Sequence, residues 1–111
     1  MNFSTENINN VVVLKILEST LECNKSADFK SHILILAQPN IKALILDLSN
    51  IAIIDSSGLG GLLLAYRQLN PHNIPVILVG VQDFILNLLE ITKISNLYKY
   101  YKTAEEAIAS L

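Results

Sequence analysis

The sequence predicts a single α/β domain built on a mixed β-sheet with about four α-helices. Three observations carry that expectation. Two short extended segments flank Asn9-Asn10, two later apolar runs are too unbroken for strands with a wet face, and segments of helical period fall between and after those runs. With 111 residues, 51% of them apolar, the chain can bury one core, so residues 1–111 are expected to form one domain without a linker.

The elements follow in order. Phe3 to Ile8 and Val11 to Leu17 form an opening hairpin, the second arm rich in β-branched residues and Asn9-Asn10 supplying the turn. Between Ser26 and Gln38, Ala27, Phe29, Ile33, Leu34, Leu36 and Ala37 recur roughly at helical spacing until Pro39 ends the first helix. Ile41 to Leu48 is a central strand, because Ala43, Leu44, Ile45, Leu46 and Leu48 leave little polar alternation and imply coverage on both faces. After Asp55-Ser56-Ser57-Gly58, residues Leu59, Leu62, Leu63, Tyr66 and Leu69 share one face of a second helix.

Asn70-Pro71-His72-Asn73 is a turn, and Ile74 to Gly80 is a second buried strand with its proline near the start, where a missing amide costs least. Gln82 to Ile91 gives a third helix through Phe84, Ile85, Leu88 and Leu89. Leu97 to Tyr101 gives a short last strand, and Thr103-Ala-Glu-Glu106 is a capping box opening a final helix to Leu111.

Composition narrows the function. A formal net charge of -2 supplies no basic field for a phosphate backbone, so nucleic acid is not an expected partner. Cys23 is the only cysteine, which excludes an internal disulfide and a cysteine-based metal cluster and suits a reduced compartment. No basic segment leads into an apolar stretch at the start, and no apolar run is long enough for a bilayer, so a cytoplasmic protein without membrane contact is expected. No heptad persists and no helix is apolar all round, so the expected state is a monomer.

Few residues carry chemistry. His32 and His72 stand outside any metal-ligand spacing, and no metal or other cofactor is expected. Asp55-Ser56-Ser57-Gly58 lacks the Gly-x-Ser-x-Gly elbow of a hydrolase. Gly58-Leu-Gly-Gly61 lacks both the Lys-Ser/Thr that completes a phosphate loop and the dinucleotide spacing. No catalytic residue is assigned, and the chain is expected not to be an enzyme. Cys23 has no basic or histidine neighbour in sequence and receives no role, while Tyr98, Tyr100 and Tyr101 read as packing or a partner surface.

What remains is the strand-to-helix junction itself. Asp55, Ser56 and Ser57 can act as a helix cap, their usual work at such a place. They can also hold a phosphate, because the first amides of a helix lack partners and carry the positive end of its dipole. Gly58, Gly60 and Gly61 each lower helix propensity by about 1 kcal/mol, and their concentration here suggests backbone opened to the close approach of a partner.

Asp55-Ser56-Ser57-Gly58-Leu59-Gly60, preceded by an apolar strand and followed by a leucine-rich helix, resembles the anti-sigma factor antagonists of the STAS domain family. The resemblance extends through Ile74 to Gly80 and through Leu89-Glu-Ile-Thr-Lys-Ile-Ser-Asn-Leu97. It implies a STAS-like domain that switches partners. Ser56 would be phosphorylated by an anti-sigma factor that is also a serine kinase, and a metal-dependent serine phosphatase would reverse the step. The unphosphorylated form would capture the kinase and free its client, often a sigma factor. Asp55, Ser56, Ser57, Gly58, Leu59, Gly60 and Gly61 would form the partner surface, with Ser57 as the cap.

Two positions depart from the family pattern. Glu18-Ser-Thr-Leu-Glu-Cys23 replaces a Gly-Glu-Leu-Asp-like turn, which points to a different partner surface, and Lys93 stands where glycine is common. Two other readings compete: a STAS scaffold or subunit of a larger stress-signalling or lipid-transport assembly, which would keep its partners whatever stands at Ser56, and a small-ligand or nucleotide-binding domain, which a ligand would stabilise.

Overall fold

The computed structural model describes all residues 1–111. Asn9 and Asn10 both take left-handed backbone, φ 53° and 68°. A two-residue hairpin turn needs that conformation and asparagine tolerates it, so β1 (Phe3–Ile8) folds back antiparallel on β2 (Val11–Ile16). The chain continues through β3 (Thr20–Leu21), α1 (Cys23–Leu36), β4 (Ala43–Asp47), β5 (Ile53–Ile54), α2 (Ser56–Leu69), β6 (Val76–Val79), α3 (Asp83–Ile91), β7 (Lys99–Tyr101) and α4 (Ala104–Ala109). The main sheet has the order β1-β2-β4-β6-β7, parallel from β2 onward, and β3 pairs with β5 as a separate two-stranded parallel ribbon. The expected mixed sheet, four helices and central strand are all present.

Period-2 alternation divides the sheet into two packed faces. Val12, Leu14, Ile16, Leu44, Leu46, Val76 and Leu78 point to the side covered by α1, α2 and α3, where Phe29, Ile33, Leu62, Leu69, Ile85 and Leu89 complete the larger core. Val11, Val13, Ala43, Ile45, Ile77 and Val79 point to the other side, which α4 covers through Ala107. Burial on both faces is the physical reason β4 and β6 lack polar alternation.

The helices depart from expectation in detail. Helix α1 starts three residues before Ser26 and buries Ser26, Phe29 and Ile33, while Ala27 and Leu34 are exposed. In α2, Leu59, Leu62 and Leu69 are buried as expected, but Leu63 and Tyr66 are half-buried, and Gly58, Gly61 and Ala65 take part of the inner face. Small residues win at Gly61 because Phe29 of α1 lies against it, and at Gly58 because Ile54 and the Leu21 carbonyl do. Ile85 and Leu89 of α3 are buried, whereas Phe84 is 61% exposed.

After α3, Lys93 adopts φ 63°, the left-handed stop for which glycine is the usual residue. The turn thus survives the lysine, and the Lys93 and Ile94 amides close it on the carbonyls of Glu90 and Leu89. The tyrosine cluster is packing: Tyr98 is buried edge-on to Tyr66 at 6.3 Å, and the Tyr100 hydroxyl donates to the Ser95 carbonyl. Burial, with the Glu90 charge adding to it, pushes the Tyr100 phenol up to about 12. The His32 ring packs at a tilt against Phe3 with ring centres 4.0 Å apart and lies 3.3 Å from Asp28, and His72 is exposed in the turn after α2.

Candidate functional site: the β5–α2 junction

Asp55 is the residue around which the junction is built. Its backbone is extended, and its Oδ1 accepts the amides of Ser57 at 3.0 Å and Gly58 at 3.1 Å, the second and third residues of α2. Its other oxygen, Oδ2, accepts the amide of Cys23 at 3.0 Å, the first residue of α1. One carboxylate therefore closes the starts of two helices. Glu22, which precedes α1, makes no side-chain cap of its own.

Two parallel helices result. Ser26 lies beside Ser57, and one turn further Phe29 lies beside Gly61, so the positive ends of both dipoles meet at Asp55. The Ser57 hydroxyl first and the Gly58 amide next, with the Cys23 and Ser57 amides adding to them, hold the Asp55 carboxyl below the usual carboxylate range against the opposing effect of desolvation. Asp55 is thus ionised at neutral pH.

The two serines differ sharply. Ser57 Oγ lies 2.5 Å from Asp55 Oδ1 and 2.8 Å from Ser26 Oγ. A serine has one hydroxyl proton, and the carboxylate, an acceptor only, takes it in the shorter, charge-assisted bond. Ser26, 2% exposed, is left to donate to Ser57 Oγ or to the Glu22 carbonyl at 2.9 Å. Ser57 is half-buried and chemically committed, whereas Ser56 is exposed. The expectation that Ser57 is the cap is corrected: Asp55 caps, and Ser57 braces Asp55 against α1.

The glycine expectation is corrected as well. A Cβ at Gly58 would stand 2.5 Å from Ile54 Cγ1 and 2.6 Å from the Leu21 carbonyl, and one at Gly61 would stand 2.4 Å from the Phe29 ring. Those two glycines admit the protein's own β3, β5 and α1. They do not open backbone to a partner. Gly60 differs, since its nearest neighbour would be the Lys30 ammonium at 3.3 Å. Of the expected partner surface, Gly58, Leu59 and Gly61 are buried, Asp55, Ser57 and Gly60 are half-buried, and Ser56 is exposed.

Glu18 to Cys23, the segment that departs from the family turn, lies against the junction through the β3–β5 ribbon, with the Ala52 and Ile53 amides on the Ser19 carbonyl. Lys25 secures it, bonding Thr20 Oγ1 at 2.8 Å and Glu18 Oε1 at 3.2 Å. The Asn2 amide and then Lys25 hold the Glu18 carboxyl low. On the far side of β5, Ile53 is 51% exposed, and α3, packed beside β5, leaves Phe84 and Ile91 exposed. The Cys23 thiol is exposed at the rim.

Sequence reasoning located Asp55 and Ser56 and missed Ser26, Cys23 and Lys30 as their neighbours. No local signal could have found them, because the Cys23–Asp55 and Ser26–Ser57 bonds join residues 32 and 31 positions apart.

The sequence matches the STAS domain family over residues 2–107. Solved structures agree. The protein TM1081 from Thermotoga maritima aligns with a TM-score of 0.85 at 22% identity, over 97% of this chain and 92% of that one. An anti-sigma-factor antagonist (STAS) domain protein from Planctomyces limnophilus reaches 0.87 at 18% identity, over 97% and 96%. The anti-sigma factor antagonist SpoIIAA in its unphosphorylated form reaches 0.83 at 20% identity, over 98% and 95%. These likenesses establish the fold, and with the sequence match spanning nearly the whole chain, the protein belongs to the STAS domain family.

Proposed function

We propose that the chain is an anti-sigma factor antagonist that switches partners through phosphorylation of Ser56. In its unphosphorylated form it binds an anti-sigma factor with serine kinase activity and frees that factor's client. Transfer of a terminal phosphoryl group from a nucleoside triphosphate forms the Ser56 Oγ–P bond, breaks the bond to the bridging oxygen and releases the hydroxyl proton. The modified antagonist then leaves. A serine phosphatase restores the hydroxyl by hydrolysis. The chain acts as a cytoplasmic monomer that contributes a hydroxyl and a surface, while catalysis belongs to its partners.

The observation that carries this reading is the contrast between Ser56, exposed at the meeting of two helix starts, and Ser57, tied to Asp55 and Ser26. A kinase can reach the first without dismantling the cap. Exposed Ile53 on β5, and exposed Phe84 and Ile91 on the α3 helix that packs against β5, supply apolar area of the kind that marks a contact surface. A phosphate adds about 1.5 to 2 negative charges, which the helix starts tolerate within the domain but which, beside ionised Asp55, oppose desolvation under a docked partner. SpoIIAA, a Bacillus cell-fate determinant, has been solved in both unphosphorylated and phosphorylated forms, and this chain aligns with each.

The test is affinity capture from native cytosol with wild type, Ser56→Ala and Ser56→Asp as baits. The expected result is a serine kinase of the anti-sigma type retained by wild type and Ser56→Ala and lost, at least tenfold, with Ser56→Asp. Three baits holding the same proteins would overturn the switch and favour a subunit of a larger assembly.

A further inference from the structure

Helices α1 and α2 run in the same direction from the junction, so Lys30 on α1 lies over the face of α2 one turn beyond Ser56. Its ammonium stands 3.3 Å, and its Cε 3.5 Å, from where a Gly60 side chain would begin. Ser56 and Gly60 are four residues apart, which places them on one helix face with side-chain origins about 6 Å apart. Helical side chains lean toward their own N-terminus, so the lysine stem leans toward the Ser56 end of the pair. Gly60, having no side chain, leaves the path between them open.

Lys30 is unemployed in the fold. The three ion pairs of the chain join the N-terminal amine to Asp28, Lys25 to Glu18 and His32 to Asp28. Lys25, the nearer lysine in sequence to the helix start, is also bonded to Thr20. Lys30 is a half-buried residue whose unpaired ammonium, on a flexible four-carbon stem one turn from an exposed hydroxyl, is a point charge able to swing onto a new anion.

We propose that Lys30 is the internal counter-cation of a phosphate on Ser56, reaching it across Gly60 as a positioning residue for the modified state. The inference rests on the reading of Ser56 given above and adds a second half to the switch. Phosphorylation introduces an anion and at the same time withdraws the Lys30 cation from the surface beside it. A partner that met a hydroxyl and a free ammonium then meets a phosphate held against the domain.

The test installs phosphoserine at position 56 by genetic encoding, so no kinase is required, and follows the phosphate by 31P NMR titration in wild type, Lys30→Gln and Lys30→Arg. An exposed ion pair of this kind shifts the phosphate midpoint by roughly 0.15 to 0.7 pH units. The midpoint should therefore be lower in wild type than in Lys30→Gln by that amount, with Lys30→Arg close to wild type. The other charged side chains at the two helix starts are Asp55, Glu22, Asp28 and the already paired Lys25. The carboxylates raise a phosphate midpoint, and the field of the helix starts is common to all three proteins, so the difference reports Lys30. Without phosphoserine, Lys30→Gln should melt within about 1 °C of wild type, as expected for an unpaired surface charge. Equal midpoints in wild type and Lys30→Gln would overturn the inference. Loss of the Ser56→Asp effect in the capture experiment would overturn the partner switch alone and leave the titration result standing.

Discussion

Two strand-to-helix junctions in this molecule are capped by short polar side chains, and they do very different amounts of work. At β7–α4, Thr103 Oγ1 accepts one amide, that of Glu106 at 3.2 Å, and the cap serves only the six-residue helix that follows it. At β5–α2, Asp55 accepts three amides on two 14-residue helices and a serine hydroxyl besides. The first junction starts a helix. The second fixes two helices to each other at the point where an exposed serine stands, so the backbone beneath Ser56 is held from both sides while its hydroxyl stays accessible.

The largest expected effect comes from breaking the close approach that makes the second junction possible. Gly61→Ala drives a methyl group into the Phe29 ring, which is fully buried and cannot retreat, and Gly58→Ala drives one against the Leu21 carbonyl. Overpacking of this kind costs about 1 to 3 kcal/mol, and contact with backbone or a locked ring places both variants near the upper end. Gly60→Ala meets only the tip of a flexible lysine, so helix propensity decides and the variant should hold or gain up to about 1 kcal/mol. Urea unfolding with an unchanged slope is the measurement. Equal losses at all three glycines would mean that the helix pair is not held in this register.

Asp55→Ala comes next. It removes acceptors from both helix starts at once, so its fall in Tm should exceed that of any single-helix cap, with Asp55→Asn intermediate because one oxygen remains. The pH dependence sharpens the point. The Asp55 carboxyl is held low by the Ser57 hydroxyl and then by the Gly58 amide, so its stabilisation is fully present above the ordinary carboxylate pKa of about 4 and is lost as pH falls through the lower folded value. Melting curves of wild type and Asp55→Ala should stay separated by a constant amount from neutral pH to mildly acidic pH and converge below it. A separation independent of pH down to strong acid would show that the carboxylate charge is not what binds the two helices.

The same contrast explains how much the sequence disclosed. The Thr103 cap was legible because its donor lies three residues away, and the sheet was legible because β4 and β6 are buried on both faces and show it as unbroken apolar runs. Asp55 and Ser56 stood out for the same local reason, at the break between an apolar segment and a helix. What could not be read was the other half of the junction. The start of α1 at Cys23 depends on an acceptor 32 residues away, and nothing between Glu18 and Ser26 announces a cap. The buried roles of Gly58 and Gly61 depend on Ile54, Leu21 and Phe29 arriving from other elements, which inverted their meaning from openings for a partner to seats for the protein's own core.

Thr103→Ala is the smallest expected change and sets the scale for the others. It removes a single neutral acceptor from a short helix near the end of the chain, and a cap of this kind is worth about 1 kcal/mol. Ala107 and the apolar contacts of Tyr101, Ala104 and Ile108 keep α4 on the sheet when the cap is gone, so the loss should appear as faster amide exchange across residues 104–109 more than as a lower global midpoint. Capture of partners by the Ser56 surface should be unchanged, because α4 covers the opposite face of the sheet. A Thr103→Ala variant that weakened partner binding as much as Asp55→Ala would erase the distinction between a junction that only begins a helix and one that presents a site.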